Sequence, residues 1–172
     1  AGSVADLVGL SFEDMTVGIT ALGNAGIKGS DAGTSLKAML MRLEPTTDRA
    51  ATLMSELGIV TADGANQFFD ASGRMKSLAD VSGVLRTALE GQTEQQKLAT
   101  LNTLFGSDAI RAAAVLYDEG AEGIRGLNEE LGKTSAADVA ATRLDNLKGD
   151  LEQLSGSIET LAINVGSVAI PF

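Results

Sequence analysis

Residues 144–168 read LDNLKGDLEQLSGSIETLAINVGSV, and the large apolar members Leu144, Leu147, Leu151, Leu154, Ile158, Leu161, Val165 and Val168 fall at intervals that alternate three and four. A strict seven-residue repeat makes a narrow apolar stripe that another helix must cover. Ala137 and Ala140 carry the stripe one heptad further back, and no charged residue falls on it. As one helix the segment reaches roughly 37 Å at about 1.5 Å per residue, which suits a rod or hairpin arm better than an enzyme core. An ordinary amphipathic helix uses a wider stripe that drifts around its axis. These eight residues are therefore the expected helix–helix interface. The covering element is earlier helices of this chain, a second copy, or a membrane or other partner.

Upstream, the same apolar spacing recurs in shorter pieces separated by glycine. Val4 to Leu10 reads as the end of an element that begins before this sequence. Ser11 is an N-cap with Asp14 three residues on, and the helix it opens runs to about Ala25 with Phe12, Met15, Ile19 and Leu22 inward. Ser30 or Asp31 caps a second helix, with Leu36, Met39, Leu40 and Leu43 inward and Pro45 as its stop. A third runs from about Thr47 to Leu57, closed by Gly58.

The helical period disappears over 59–76. Ile59-Val60 and Phe68-Phe69 are short apolar pairs, and Asp70-Ala71-Ser72-Gly73 has turn chemistry, so this stretch is read as a short β-hairpin or an ordered loop. One of the two phenylalanines should pack on the helices. Helical signals resume at Ser77 with Leu78, Val81, Leu85 and Leu89, ending near Gly91. Thr93 with Gln96 caps a helix carrying Leu98, Leu101, Leu104 and Phe105 inward, and Gly106 breaks it. Ser107 or Asp108 opens another with Ile110, Ala113, Ala114 and Tyr117. Residues 120–126 read as a loosely helical, glycine-rich connector leading through Leu127 and Leu131 to Gly132, and Ser135 opens the final helix. No terminus signal accompanies Pro171-Phe172, which is read as truncation.

The fold expected is all-α: a bundle of about seven helices with one insert near 59–76 and a long heptad-patterned C-terminal helix. Residues 1–134 form a helical domain, and 135–172 form a long helix packing on it or on a second copy. A chain of 172 residues that is 44% hydrophobic can bury one sizeable core. Aromatics are only 3% and Trp is absent, so the contacts expected are thin and alanine-lined.

The formal net charge of −10 repels phosphate, which argues against tight nucleic-acid binding. No basic run invites an anionic membrane. With no histidine and no cysteine, Ser-His and Cys-His catalysis, imidazole or thiolate metal sites and disulfides are all removed. There is no signal-peptide pattern, and no stretch is long and apolar enough to span a bilayer unaided. Gly132-Lys133-Thr134 imitates the end of a phosphate-binding loop, but the glycine required upstream is Leu127. Asp63-Gly64 and Asp70 to Gly73 offer calcium-type oxygens without the alternating acidic loop, so they read as turns. Asp118-Glu119 and Glu129-Glu130 diverge by about 100° on a helix and do not converge on one bond. No catalytic, metal or cofactor-binding residue is expected, and no cofactor.

Four pieces, in order, carry a resemblance. They are Ala32-Gly33-Thr34-Ser35-Leu36 through Leu43 with Glu44-Pro45-Thr46; Leu57-Gly58-Ile59 with Asp70-Ala71-Ser72-Gly73 and Leu78; Leu104-Phe105-Gly106-Ser107-Asp108-Ala109; and Leu161-Ala162-Ile163-Asn164-Val165-Gly166 with Pro171. Together with the glycine-bounded helix lengths between them, they resemble the core region of phage tail tape measure proteins. The resemblance covers nearly the whole chain from about Leu10. It implies a long helical parent threaded through the tail tube of a phage or prophage-derived particle, which sets tube length and leaves ahead of DNA. It also implies a virion tail location after synthesis in the host cytoplasm, and the tail tube protein, a tail assembly chaperone or tail tip proteins as partners. Self-association through the C-terminal helix is compatible with it, and membrane contact is expected only in the full-length parent. The chain is too short to be a whole tape measure and lacks peptidoglycan-cleaving residues. The rival reading is a membrane-active or self-associating helical protein whose Leu161 to Phe172 segment inserts into a bilayer.

Overall fold

The computed structural model describes residues 9–133, so the eight seam residues Leu144, Leu147, Leu151, Leu154, Ile158, Leu161, Val165 and Val168 lie outside the described residues, as do the first element and the final helix. Five helices are present among the described residues: α1 (Phe12–Asn24), α2 (Ser30–Leu40), α3 (Asp48–Glu56), α4 (Leu78–Ala88) and α5 (Glu94–Lys133). Helix α5 packs against all four others and is the spine of the fold. It runs for 40 residues but is interrupted by non-helical backbone at Gly106 (φ 68°, ψ 178°) and Gly120 (φ 63°, ψ −174°). The break at Gly106 agrees with the sequence. Past Gly120 the expected loose connector is regular helix, with Ile124 buried.

Four of the five helix starts follow from local side-chain chemistry; α2 starts at Ser30 after Gly29 with no side-chain cap, where the sequence pointed to Ser30 or Asp31 as the cap. Ser11, Thr47, Ser77 and Thr93 each accept a hydrogen bond on the side-chain oxygen from the backbone N–H three residues on, at 3.0, 3.1, 3.1 and 3.3 Å. At Thr93 the bond is reciprocated, because Gln96 Oε1 accepts from Thr93 N at 2.9 Å and completes a capping box. One cap is shared across helices: Asp14, in the first turn of α1, also accepts from Leu78 N at 3.2 Å, on the first residue of α4.

The core is one cluster in which Leu36, Met39, Leu43, Met54, Phe68, Leu78, Leu85, Leu101, Leu104, Phe105 and Leu116 are all buried. The inward face expected of α1 holds at Leu22, which is fully buried, and in part at Met15 and Ile19, which are half-buried against the core; Phe12 is 54% exposed, and Val17, Gly18 and Ala21 complete the buried face. At Gly18 a Cβ would lie 2.9 Å from Leu78 Cδ2 and 3.0 Å from Leu36 Cδ2. The bare backbone admits both leucines, and the stripe is set by that approach rather than by the largest side chains. Leu98 is likewise 62% exposed, not inward. Lys97 takes the position one turn before Leu101, with Nζ 5.1 Å from the Tyr117 ring centroid and 2.8 Å from Glu94 Oε1.

Residues 59–76 contain no strand. They form two tight antiparallel loops, one closed by the bridge Val60–Asn66 and one by Phe69–Met75. The first turns on Gly64 (φ 86°) and the second on Gly73 (φ 78°). Asp70 Oδ1 accepts from Ser72 N, Ser72 Oγ and Arg74 N at 2.8, 2.6 and 3.0 Å, and these bonds, the Ser72 hydroxyl first, hold its carboxyl below its ordinary value of 3.8. Asn66 Nδ2 donates to Leu43 O at 2.9 Å and fastens the insert to the turn after α2. Phe68 is fully buried and Phe69 half-buried, so one ring packs inward as expected.

Candidate functional site: the pinned breaks of the long helix

A break inside a helix strands backbone carbonyls on its upstream side and amides on its downstream side. In α5 the upstream sides are closed by guanidinium groups from other elements. Arg42, in the turn after α2, donates from Nη1 to the carbonyl of Phe105, directly before Gly106. Arg86, in α4, donates from Nη1 to Asp118 O at 3.1 Å, two residues before Gly120. A cation at the C-terminal end of a helical piece also meets the negative end of its dipole. Downstream, Asp108 and Glu122 sit two residues past each glycine, where a negative charge favours a helix start.

Both positions exclude a side chain. A Cβ at Gly106 would collide with the Arg42 guanidinium, and one at Gly120 would lie 2.9 Å from both Cδ and Nη1 of Arg86. The positive φ at each is a second reason for glycine.

The three pieces of α5 are thereby tied to different neighbours. In the middle piece, Ala112 N donates to Ser35 Oγ at 3.1 Å in a fully buried contact, where Ala32, Ala109, Ala112 and Ala113 bring α2 and α5 close. Arg111 pairs with Asp31 at 3.6 Å on the rim of that contact. In the last piece, Arg125 pairs with Asp80 at 3.4 Å, and a Cβ on Gly83 would stand 3.3 Å from Ala121 Cβ. These alanine-lined approaches are the thin contacts expected from the composition.

The sequence located the glycines but not the arginines. Nothing in a linear reading distinguishes Arg42 and Arg86 from other surface arginines, because their acceptors lie 63 and 32 residues away. The seam residues named from the sequence, Leu144 to Val168, fall outside the described residues. A half-open groove of about 220 Å³ between α4 and the chain just after α3, lined by Leu57, Ile59, Gln67, Val84, Thr87 and Ala88, carries no ionisable side chain. Among the described residues there is no acidic cluster able to hold a metal ion, and no helix is long and apolar enough to cross a membrane.

Residues 1–106 match the family described as phage-related minor tail protein. The chain is 34% identical over 170 residues to the tape measure protein of Pneumococcus phage Dp-1, a match covering 98% of this chain and 14% of that protein. It is 28% identical over 172 residues to the probable tape measure protein of Escherichia phage P2, covering 96% of this chain and 20% of that one. The chain thus spans between a seventh and a fifth of the length of these relatives. No solved structure matches it. On a family match that takes in more than half of its residues, the chain belongs to the phage-related minor tail proteins, and over nearly its whole length it is similar to a segment of phage tail tape measure proteins.

Proposed function

We propose that this chain is a structural, non-enzymatic segment of a tail tape measure protein, acting in tail tube assembly, tail-length determination and genome ejection. The observation that carries the reading is 34% identity running over 98% of the chain. The physics agrees with it. A helical parent lengthens by about 1.5 Å per residue, which makes residue number a measure of distance. An acidic surface, with a net charge of −10, does not hold DNA that must later use the same channel. Its place is the tube lumen of the virion tail, and its partners are the tail tube protein, a tail assembly chaperone or tail tip proteins. Membrane contact belongs to the full-length parent.

The decisive experiment is an in-frame deletion of residues 9–133 in the parent gene, with tails examined by electron microscopy. Absent tails or tails of altered length are expected, with normal capsids. Wild-type tails and undiminished infectivity would remove the proposal.

Within that role the seam of Leu144, Leu147, Leu151, Leu154, Ile158, Leu161, Val165 and Val168 is the helix–helix interface, covered by this domain or by a second copy. Leu151→Asp or Leu154→Asp would put an unpaired charge on a sheltered stripe, at a cost of several kcal/mol. Either substitution should lower the melting temperature or the mass in solution. If both quantities stay unchanged for both variants, the seam is not an interface.

A further inference from the structure

Helix α4 and the last piece of α5 run antiparallel. Arg86 reaches Asp118, Gly83 faces Ala121 and Arg125 pairs with Asp80, so residue numbers rise along one as they fall along the other. Lys133 follows Arg125 by eight residues, which carries α5 about 12 Å beyond the level of Asp80. The groove opens along this same α4. Val84 and Ala88 line it one turn apart with Leu57 on its other wall, and all three are half-buried. Gly83 belongs both to the groove and to the contact with Ala121, so the groove lies beside the last piece of α5. At about 220 Å³ it falls short of the roughly 300–1,000 Å³ of a small-molecule pocket and suits the side chains of another helix.

We propose that the apolar stripe beginning at Leu144 folds back onto this groove, as an antiparallel hairpin with the last piece of α5, setting Leu147 against Val84 and Leu151 against Ala88. The inference rests on the stripe being a helix–helix interface and names the surface that covers it. The register follows from helix geometry. A helix opened by Ser135, as the sequence indicates, and returning beside α5 regains the level of Asp80 about eight residues on, near Arg143. Four further residues bring Leu147 level with Val84, and another four bring Leu151 level with Ala88, because both helices rise about 1.5 Å per residue. The chemistry matches as well: a stripe without a charged residue meets a groove without an ionisable side chain. Only residues 134–143 separate Lys133 from Leu144, and so short a tether holds the stripe near the groove at an effective concentration on the order of millimolar, which favours this chain's own stripe over a second copy's.

The chain has no cysteine, so spin labels can be placed at Glu90→Cys, exposed just past α4, and at Gln153→Cys, off the apolar stripe, and their separation measured on the full chain. In the docked register the two positions are nearly level on neighbouring helices, and a distance of about 20 Å is expected; a segment continuing straight from α5 would place them roughly 55 Å apart. The short distance should persist when labelled chain is diluted with excess unlabelled chain, and should lengthen in Val84→Glu and in Leu147→Asp. Leu147 lies outside the buried core, so that variant reads docking even where Val84→Glu loses helix content. A long distance in the unsubstituted background would overturn the proposal. So would a short distance that vanishes on dilution, which would put a second copy in the groove, or one that survives Leu147→Asp. The melting and mass tests of Leu151→Asp and Leu154→Asp judge separately whether the stripe is an interface at all.

Discussion

The short helices and the long helix of this protein begin and end by different means. Helices α1, α3 and α4, and the start of α5, are opened by Ser11, Thr47, Ser77 and Thr93, each bonding an amide three residues away. The interior ends of α5 are closed by Arg42 and Arg86 from 63 and 32 residues away. A local cap costs little chain entropy to form and is written into neighbouring residues. A distant cap exists only once the fold has assembled, so no neighbouring residue announces it.

The comparison is open to attack at four points. The largest effect is expected where a locally built segment hangs on one distant anchor. Phe68→Ala should cost about 3–5 kcal/mol in chemical denaturation, because the ring is fully buried between the two loops of the insert and the helices. Next, Gly106→Ala should cost about 2 kcal/mol or more, from left-handed backbone and a displaced Arg42, whereas Gly91→Ala, with similar φ and open space around it, should cost only about 1 kcal/mol. Equal losses at the two glycines would mean that the distant arginine adds nothing.

Removing a local cap should matter less. Ser77→Ala should lower stability by about 1 kcal/mol, visible as a melting shift of a few degrees. The smallest effect is at Asp70. Its carboxyl lies below the ordinary 3.8, mainly through the Ser72 hydroxyl and then the Arg74 amide, so its contribution is fully present above that value and is lost as the pH falls through the lower, folded value. Acid titration followed by NMR at Ser72 and Arg74 should show their amide shifts moving with one protonation below 3.8. Movement only above it would mean the turn does not hold the carboxylate.

Much of the fold was legible because much of it is local. The starts at Ser11, Thr47, Ser77 and Thr93, the turn at Gly73 and the break at Gly106 all follow from side chains within four residues of where they act. What misled was periodicity. Apolar spacing points Phe12 and Leu98 inward, yet both are exposed, with Gly18 admitting Leu36 and Leu78 on one helix and Lys97 half-covered beside Tyr117 on the other. The sequence of the insert points to one hairpin or an ordered loop; its two loops are closed by the Val60–Asn66 and Phe69–Met75 bridges, and its tie to the helices, the Asn66 bond to Leu43 O, is contained in no local pattern.

By itself, the sequence determined that the chain is helical, where most described helices start, that no histidine or cysteine chemistry is available, and which family of phage proteins it resembles. The reason is that periodicity, capping and composition act over a few residues. The tertiary structure alone decided that α5 bends at Gly120 as well as Gly106, that two arginines close those bends, and that Ser35 meets Ala112 in the core. Those bonds join residues 32 to 77 positions apart, and a partner at that range is chosen by packing, which only the assembled helices supply.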